Sequence, residues 1–144
     1  MRRGLWVLVG GLAVAATGCG GPSATPVEGT VAFASGNRKS DNLLLQFHPT
    51  ADGGAKVRGG SALSDTSGKF TVTGDDGAAG LPPGTYIVTV VDNNLNVEDE
   101  PGTKGAKRPP PNRVPLKYTA ADEKLNPLKV TVEKGKAGYD LKLD

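Results

Sequence analysis

The chain of 144 residues has little of what most catalytic and metal sites are built from. It contains one histidine and one cysteine, which excludes an intramolecular disulfide and a zinc site made of several such ligands. The histidine, His48, has no nucleophile and orienting acid near it in the sequence that would complete a catalytic triad. These absences predict a protein that is not an enzyme and that carries no cofactor.

Charge is absent from one stretch near the start of the chain. Arg2 and Arg3 are followed by fourteen uncharged residues, 4–17, and then by Gly18 and Cys19. A basic start, an apolar middle and a small-residue end are typical of a secretory signal peptide. The apolar stretch is too short for a membrane-spanning helix, which needs about 20 such residues.

The segment Ala16-Thr17-Gly18-Cys19 resembles the lipobox of bacterial lipoproteins, with Ala16 where leucine is usual. The resemblance implies that residues 1–18 are removed and that the Cys19 thiol receives a diacylglyceryl group. An intermolecular disulfide through Cys19 is the alternative. Gly20, rather than aspartate, follows the cysteine, which by analogy with known sorting signals implies the outer membrane or cell surface of a Gram-negative-type bacterium.

The charge balance changes when the signal is removed. The full chain has 17 basic and 15 acidic residues, and Arg2 and Arg3 leave with the signal, so the mature chain is formally neutral. Nucleic-acid binding needs a net basic surface, and we therefore expect no nucleic-acid partner. Residues 19–26 form a flexible tether of at most about 25 Å, and residues 27–144 have the length of one domain.

Apolar residues recur at alternate positions in seven short segments of this domain, and glycine, proline, asparagine and aspartate separate them. This pattern predicts strands and gives no helical period. Strands with one apolar face pack sheet on sheet, so we predict an all-β, seven-stranded antiparallel β-sandwich. Lys129, Lys142 and Asp144 are expected to protect its edges. The predicted strands cover residues 27–33, 42–48, 55–63, 69–73, 85–91, 128–133 and 139–143.

Three motifs resemble those of carboxypeptidase regulatory-like domains. They are Val27–Val31 (VEGTV), Asp65–Phe70 (DTSGKF) and Leu81–Val90 (LPPGTYIVTV), in the order and spacing of that family. Pro115–Tyr118 also resembles small bacterial lipoproteins that carry one such domain. The resemblance implies a transthyretin-like (prealbumin-like) sandwich and a structural, adhesive or binding role without shared catalysis.

A long segment without a predicted strand, residues 92–126, separates the fifth and sixth strands. Oxygen-bearing side chains alternate at its start, and oxygen-rich loops bind calcium. The spacing does not fit an EF-hand, and a solvated acidic loop is the alternative. The candidate calcium ligands are Asp92, Asn94, Asn96 and Glu98.

The rest of this segment carries basic residues and then three prolines. A disordered insertion is the simplest interpretation, and a docking loop for an envelope protein is the alternative. Of the six mature aromatic residues, five are expected in the core, which leaves Tyr118 available to a glycan. The candidate partner-binding residues are Pro109, Pro110, Pro111, Arg113 and Tyr118.

These patterns together predict a lipid-anchored extracytoplasmic module with a structural or protein-interaction role at the bacterial cell envelope. A carbohydrate- or calcium-binding envelope module is the alternative. The membrane is the first expected partner, through the lipid on Cys19, and an envelope protein or glycan is the second.

The lipidation of Cys19 can be tested directly. Mass spectrometry of the mature chain should give an N-terminal Cys19 that carries acyl chains, since two or more chains make a stable anchor. The wild-type chain should partition into the detergent phase, and Cys19→Ala should not. An unmodified chain cut at another position would contradict the prediction.

Overall fold

The computed structural model describes residues 23–51, 58–95 and 111–144. Within them the chain forms eight strands and two short 3-10 turns. The turns cover Asn93–Leu95 and Leu116–Tyr118. The strands are β1 (Glu28–Phe33), β2 (Leu43–Pro49), β3 (Gly60–Leu63), β4 (Lys69–Thr71), β5 (Thr73–Gly74), β6 (Gly84–Asp92), β7 (Lys129–Val132) and β8 (Gly138–Leu143).

The strands form two sheets that enclose one core. A three-stranded sheet has the order β4-β1-β8, and a five-stranded sheet has the order β5-β3-β2-β6-β7. Burial alternates along β7 and β8 because successive side chains of a strand point to opposite faces. Phe47 of β2 meets Phe70 of β4 across the core, with ring centroids 6.2 Å apart. The all-β sandwich predicted from the alternation is confirmed.

The prediction of seven strands, all antiparallel, is wrong in two respects. The segment predicted as one strand over residues 69–73 divides at Val72, so that β4 pairs with β1 and β5 pairs with β3. The chain passes from one sheet to the other at this point. In addition, β1 and β8 are parallel, because the chain leaves β7 at the edge of the five-stranded sheet and crosses to the edge of the other sheet.

The strand predicted over residues 55–63 is shorter in the structure. β3 begins at Gly60, and residues 55–57 of the prediction lie outside the described residues. In the described part of the chain, no helix has the length and apolar character needed to cross a membrane.

The turn before β4 has the construction that its sequence predicts. The Asp65 carboxylate accepts hydrogen bonds from the N–H groups of Ser67 and Lys69 at 2.8 and 2.9 Å, as aspartate does in tight turns. Gly68 adopts a φ of 80°, a conformation that favours glycine. Phe70 then enters the core with 3% of its surface exposed. Asp65 and Gly68 are therefore fold determinants.

Different segments of the chain lie at the two ends of the sandwich. At the tether end, Thr25 and Leu81 exchange hydrogen bonds of 2.7 and 2.9 Å as the chain approaches β1. The turn at 133–137 lies at the same end, where the N–H of Glu28 donates to the Ala137 carbonyl at 2.9 Å. At the opposite end, the loop end, lie the connection 34–42, the last residue of β6 and the residues from 111 to 118. β1 runs from the tether end to the loop end.

Gly29 of β1 lies opposite Tyr139 of β8 and close to its main chain. A β-carbon at Gly29 would overlap the main-chain carbonyl of Tyr139, whereas a β-carbon at Gly138 would meet no atom within 4 Å. The tight packing of this sheet therefore depends on glycine at one of these neighbouring positions and not at the other.

We expect Gly29→Ala to lower the free energy of unfolding by about 3 kcal/mol, the upper end of the usual cost of overpacking. The matched change Gly138→Ala should alter it by less than about 0.5 kcal/mol, as for ordinary surface positions. Urea unfolding of the full-length chain measures both. Equal effects of the two substitutions would contradict the close approach of β1 and β8.

Candidate functional site

Arg113 organises the loop end of the molecule. Its Nε and Nη2 atoms donate to the two carboxylate oxygens of Asp92 at 2.8 and 2.6 Å. Nη1 donates to the Asp41 carboxylate at 2.7 Å and to the Lys39 carbonyl at 2.9 Å, and Nη2 donates to the Asp41 carbonyl at 2.9 Å. A guanidinium has five N–H donors, and each of them has an acceptor in this Arg113 cluster.

The electrostatics of the Arg113 cluster follow from burial. The side chain of Asp92 is 1% exposed and that of Arg113 is 20% exposed, so neither charge is solvated by bulk water alone. The hydrogen bonds that Arg113 donates to the Asp92 carboxylate lower the pKa of Asp92 and raise the pKa of Arg113. Both groups are therefore held in their charged forms.

The sequence places Asp92 in this position through the alternation of β6. Tyr86, Val88, Val90 and Asp92 share the inward phase of the strand, and all four are buried. An inward carboxylate at the end of a strand needs a cation, because an unpaired buried charge is strongly destabilising. Arg113 supplies that cation from residues 111–126, a described stretch that contains no strand.

The residues that follow Arg113 are packed against the sandwich. Val114 and Tyr118 are buried in the core, and Asn126 has no exposed surface. The Asn126 amide donates to the carbonyls of Val88 and Ala120 at 2.9 and 3.0 Å. The simplest interpretation of the sequence, a disordered insertion, is therefore wrong for residues 111–126, because their buried side chains have specific partners.

Tyr118 does not offer an aromatic surface to a glycan. Its side chain is 2% exposed, and its hydroxyl donates to the Asp144 carboxylate. Lys117 donates to the same carboxylate at 2.7 Å, and hydrogen bonds from Lys117 and then Tyr118 lower the pKa of Asp144 to about 2. The prediction that Tyr118 is available to a partner is wrong, because the ring completes the core and its polar end is already bonded.

The residues considered as calcium ligands are engaged or lie outside the described residues. Both oxygens of Asp92 accept from Arg113, and the amide oxygen of Asn94 accepts from Asn42 at 2.7 Å. A guanidinium seated on a carboxylate occupies the oxygens that a calcium ion would need. Asn96 and Glu98 lie outside the described residues.

His48 lies on the outer face of the five-stranded sheet. Its Nε2 atom is 3.0 Å from the hydroxyl of Thr89 on the neighbouring strand. Over residues 23–51, 58–95 and 111–144, no three histidine, cysteine, aspartate or glutamate side chains converge as metal ligands would.

The remaining candidate residues divide between the described and undescribed parts of the chain. Pro111 is exposed at the loop end, two residues before Arg113. Pro109, Pro110 and Cys19 lie outside the described residues.

The roles of two residues in this region cannot be predicted from the sequence. Asp41 lies in a polar connection, where a charged residue does not indicate a particular partner. Asn126 precedes a proline, which suggests only a turn. In the structure its side-chain amide connects β6 to the start of β7, because it donates to the Val88 carbonyl and its oxygen accepts from the N–H of Leu128 at 2.9 Å. Neither role has a local motif, because both partners are distant in the chain.

Comparison of the chain with protein-family models, with curated proteins and with solved structures gave no match.

The Arg113 cluster gives a stability prediction. Arg113→Ala should lower the free energy of unfolding by about 3–5 kcal/mol, because it leaves the buried Asp92 carboxylate without its cation. Arg113→Lys should lose less, since an ammonium keeps the charge but not the forked geometry. Denaturant unfolding of the full-length chain measures both.

The matched control is Arg58→Ala. Arg58 forms an ion pair of 2.9 Å with Asp76, but the two side chains are 64% and 38% exposed. Exposed pairs contribute at most about 1 kcal/mol. An Arg113→Ala effect no larger than that of Arg58→Ala would show that the cluster does not hold the loop end.

Proposed function

We propose that this protein is a lipid-anchored, extracytoplasmic β-sandwich module of a bacterial cell envelope. Its role is structural or in protein interaction, and it performs no catalysis. The lipid on Cys19 attaches it to the membrane, and Gly20 favours the outer membrane. The support for the anchor is the ordered sequence Arg2-Arg3, apolar stretch, small residues and cysteine, which is typical of exported chains.

One structural observation carries the interaction role: the tether and the long segment 92–126 leave the sandwich at opposite ends. Thr25 pairs with Leu81 at the tether end, whereas β6 ends with Asp92 at the loop end. The strands between them rise about 3.3 Å per residue, so the six residues of β1 separate the two ends by about 20 Å. A membrane-attached domain of this kind presents its loop end outward.

At the loop end, the residues around Arg113 are held in a fixed position. The Arg113 cluster binds them to β6 and to the 34–42 connection, and the Arg38 guanidinium donates to the Arg113 carbonyl at 2.8 Å. Leu116 projects from this rigid base with 81% of its surface exposed. Rigid placement lowers the entropy that binding costs, which suits a surface for a protein partner.

For the finer fold we propose a carboxypeptidase regulatory-like, transthyretin-like sandwich. The two-sheet architecture supports this, and so do the places of the motif residues. Val27, Val31 and Phe70 are buried, and Asp65 and Gly68 form the turn before β4. Tyr86 is buried with its hydroxyl bonded to the Pro82 carbonyl at 2.7 Å. No observation favours the carbohydrate- or calcium-binding alternative.

A photo-crosslinking side chain placed at Leu116 tests the proposal in intact cells. We expect a discrete protein adduct from Leu116, because this position lies at the loop end and is exposed. The matched control is the same side chain at Lys134, an exposed residue of the turn at the tether end. Western blotting and mass spectrometry of the adducts give the readout.

The same Leu116 variant with Cys19→Ala provides the second control. Loss of the lipid should remove the adduct from the membrane fraction. No adduct at Leu116, or the same adduct from both positions, would contradict presentation of the loop end to a partner.

A further inference from the structure

The free edges of the two sheets face each other across a cleft on one side of the sandwich. β7 ends the five-stranded sheet and β8 ends the three-stranded sheet. The cleft between them has a volume of about 390 Å³, and Thr131, Tyr139 and Asp140 are among its lining residues. No strand of the described residues pairs with the outer edge of β8. The cleft borders residues 138–141 of β8 and leaves space there for a further strand.

Alternate residues of β8 direct their backbone groups into this space. The N–H groups of Glu28 and Ala34 donate to the carbonyls of Ala137 and Leu143 at 2.9 and 2.6 Å. The odd-numbered residues of β8 are therefore the ones that bond to β1. In a strand ladder the intervening residues direct N–H and C=O to the other side. Gly138, Asp140 and Lys142 therefore direct backbone groups outward at the edge, where no strand of the described residues pairs with them.

The side chains of this edge carry a charge pattern that is complementary to itself. Asp140 and Lys142 are exposed on the outer face, and the intervening residues Tyr139, Leu141 and Leu143 are buried. When such a strand pairs antiparallel with a copy of itself about Leu141, each Asp140 lies opposite a Lys142. Opposite charges across strands stabilise a pair, and like charges destabilise it.

We propose that the β8 edge pairs antiparallel with the β8 edge of a second copy of this chain, in the register centred on Leu141. Asp140 and Lys142 are then the residues that exchange main-chain hydrogen bonds, because their backbone groups face outward. On the inner face, Leu141 meets Leu141 of the second copy. The pairing joins two three-stranded sheets into one continuous sheet, which is strand addition with a second copy as the partner.

Among the residues of β8, only this register combines the hydrogen-bonding phase with matched charges. A register centred on Leu143 would use Asp144, whose carboxylate already accepts from Lys117 and Tyr118. The neighbouring registers of the same phase place Asp140 opposite Asp140 or Lys142 opposite Lys142, and both are unfavourable. Charges at an edge usually discourage pairing. Here the alternation discourages the neighbouring registers and favours a single one.

Both charged groups are available for this contact. The Asp140 carboxylate accepts from the Thr30 hydroxyl through Oδ1 at 2.6 Å, which leaves Oδ2 for a lysine. Lys142 takes part in none of the ion pairs of the described residues. Pairing at the β8 edge does not require the lipid at Cys19.

Charge exchange tests the proposal. All chains are full-length and carry Cys19→Ala, so that no lipid drives association, and sedimentation velocity in one detergent follows mass over a concentration series. The parent should form dimers, and Asp140→Lys or Lys142→Asp should weaken them at least about tenfold, since each converts two matched contacts to like-charge contacts. The double exchange, Asp140→Lys with Lys142→Asp, should restore the dimer.

An equimolar mixture of the two single variants should also recover dimers, and these should contain one chain of each kind. The matched control is Lys69→Asp, the same charge change on β4 at the opposite edge of the same sheet, and it should behave as the parent does. Equal masses for the parent and both single variants would overturn the proposal. Failure of both the double exchange and the mixture to recover the dimer would overturn it as well.

Discussion

The contact between Arg113 and Asp92 is the interaction on which the loop end of this protein depends. Asp92 continues the inward phase of β6, and its carboxylate is 1% exposed. Without a cation, β6, an interior strand of the larger sheet, would end in an uncompensated buried charge. Arg113 meets that requirement and in doing so binds the 34–42 connection as well. The fold of the residues around it follows: Val114 and Tyr118 enter the core, and Asn126 leads the chain into β7.

Much of the sandwich could be predicted from the sequence, because the information is local. Alternation of apolar residues specifies which face of each strand is buried, and Asp65 and Gly68 specify a turn within a few residues. What could not be predicted concerns relations between sheets. Nothing within residues 69–73 shows that the chain changes sheets at Val72. Nor does any local pattern show that β8 runs parallel to β1.

The candidate site was less predictable for a related reason. Asp92 and Asn94 share oxygen-bearing side chains with many metal loops, but their oxygens are taken by Arg113 and Asn42, which are distant in sequence. Tyr118 lies in a polar segment, where an aromatic residue suggests exposure; the structure buries it because the segment folds back onto β6. The alternation of β6 did contain a usable signal. It places Asp92 among the inward-facing residues, and a carboxylate in that position requires a cation from another part of the chain.

The position of β1 determines how the domain responds to force. The chain enters from the tether into β1, which has β8 beside it over its whole length and β4 on the other side over residues 28–30. A pull on the tether acts along the strand axis, so the hydrogen bonds to both neighbours are loaded in shear and share the load. Bonds loaded in this way break together, whereas bonds that are peeled from one end break singly. If the chain is anchored through its tether, as proposed, the domain resists a pull along β1 more strongly than a pull that peels one strand from the edge of a sheet.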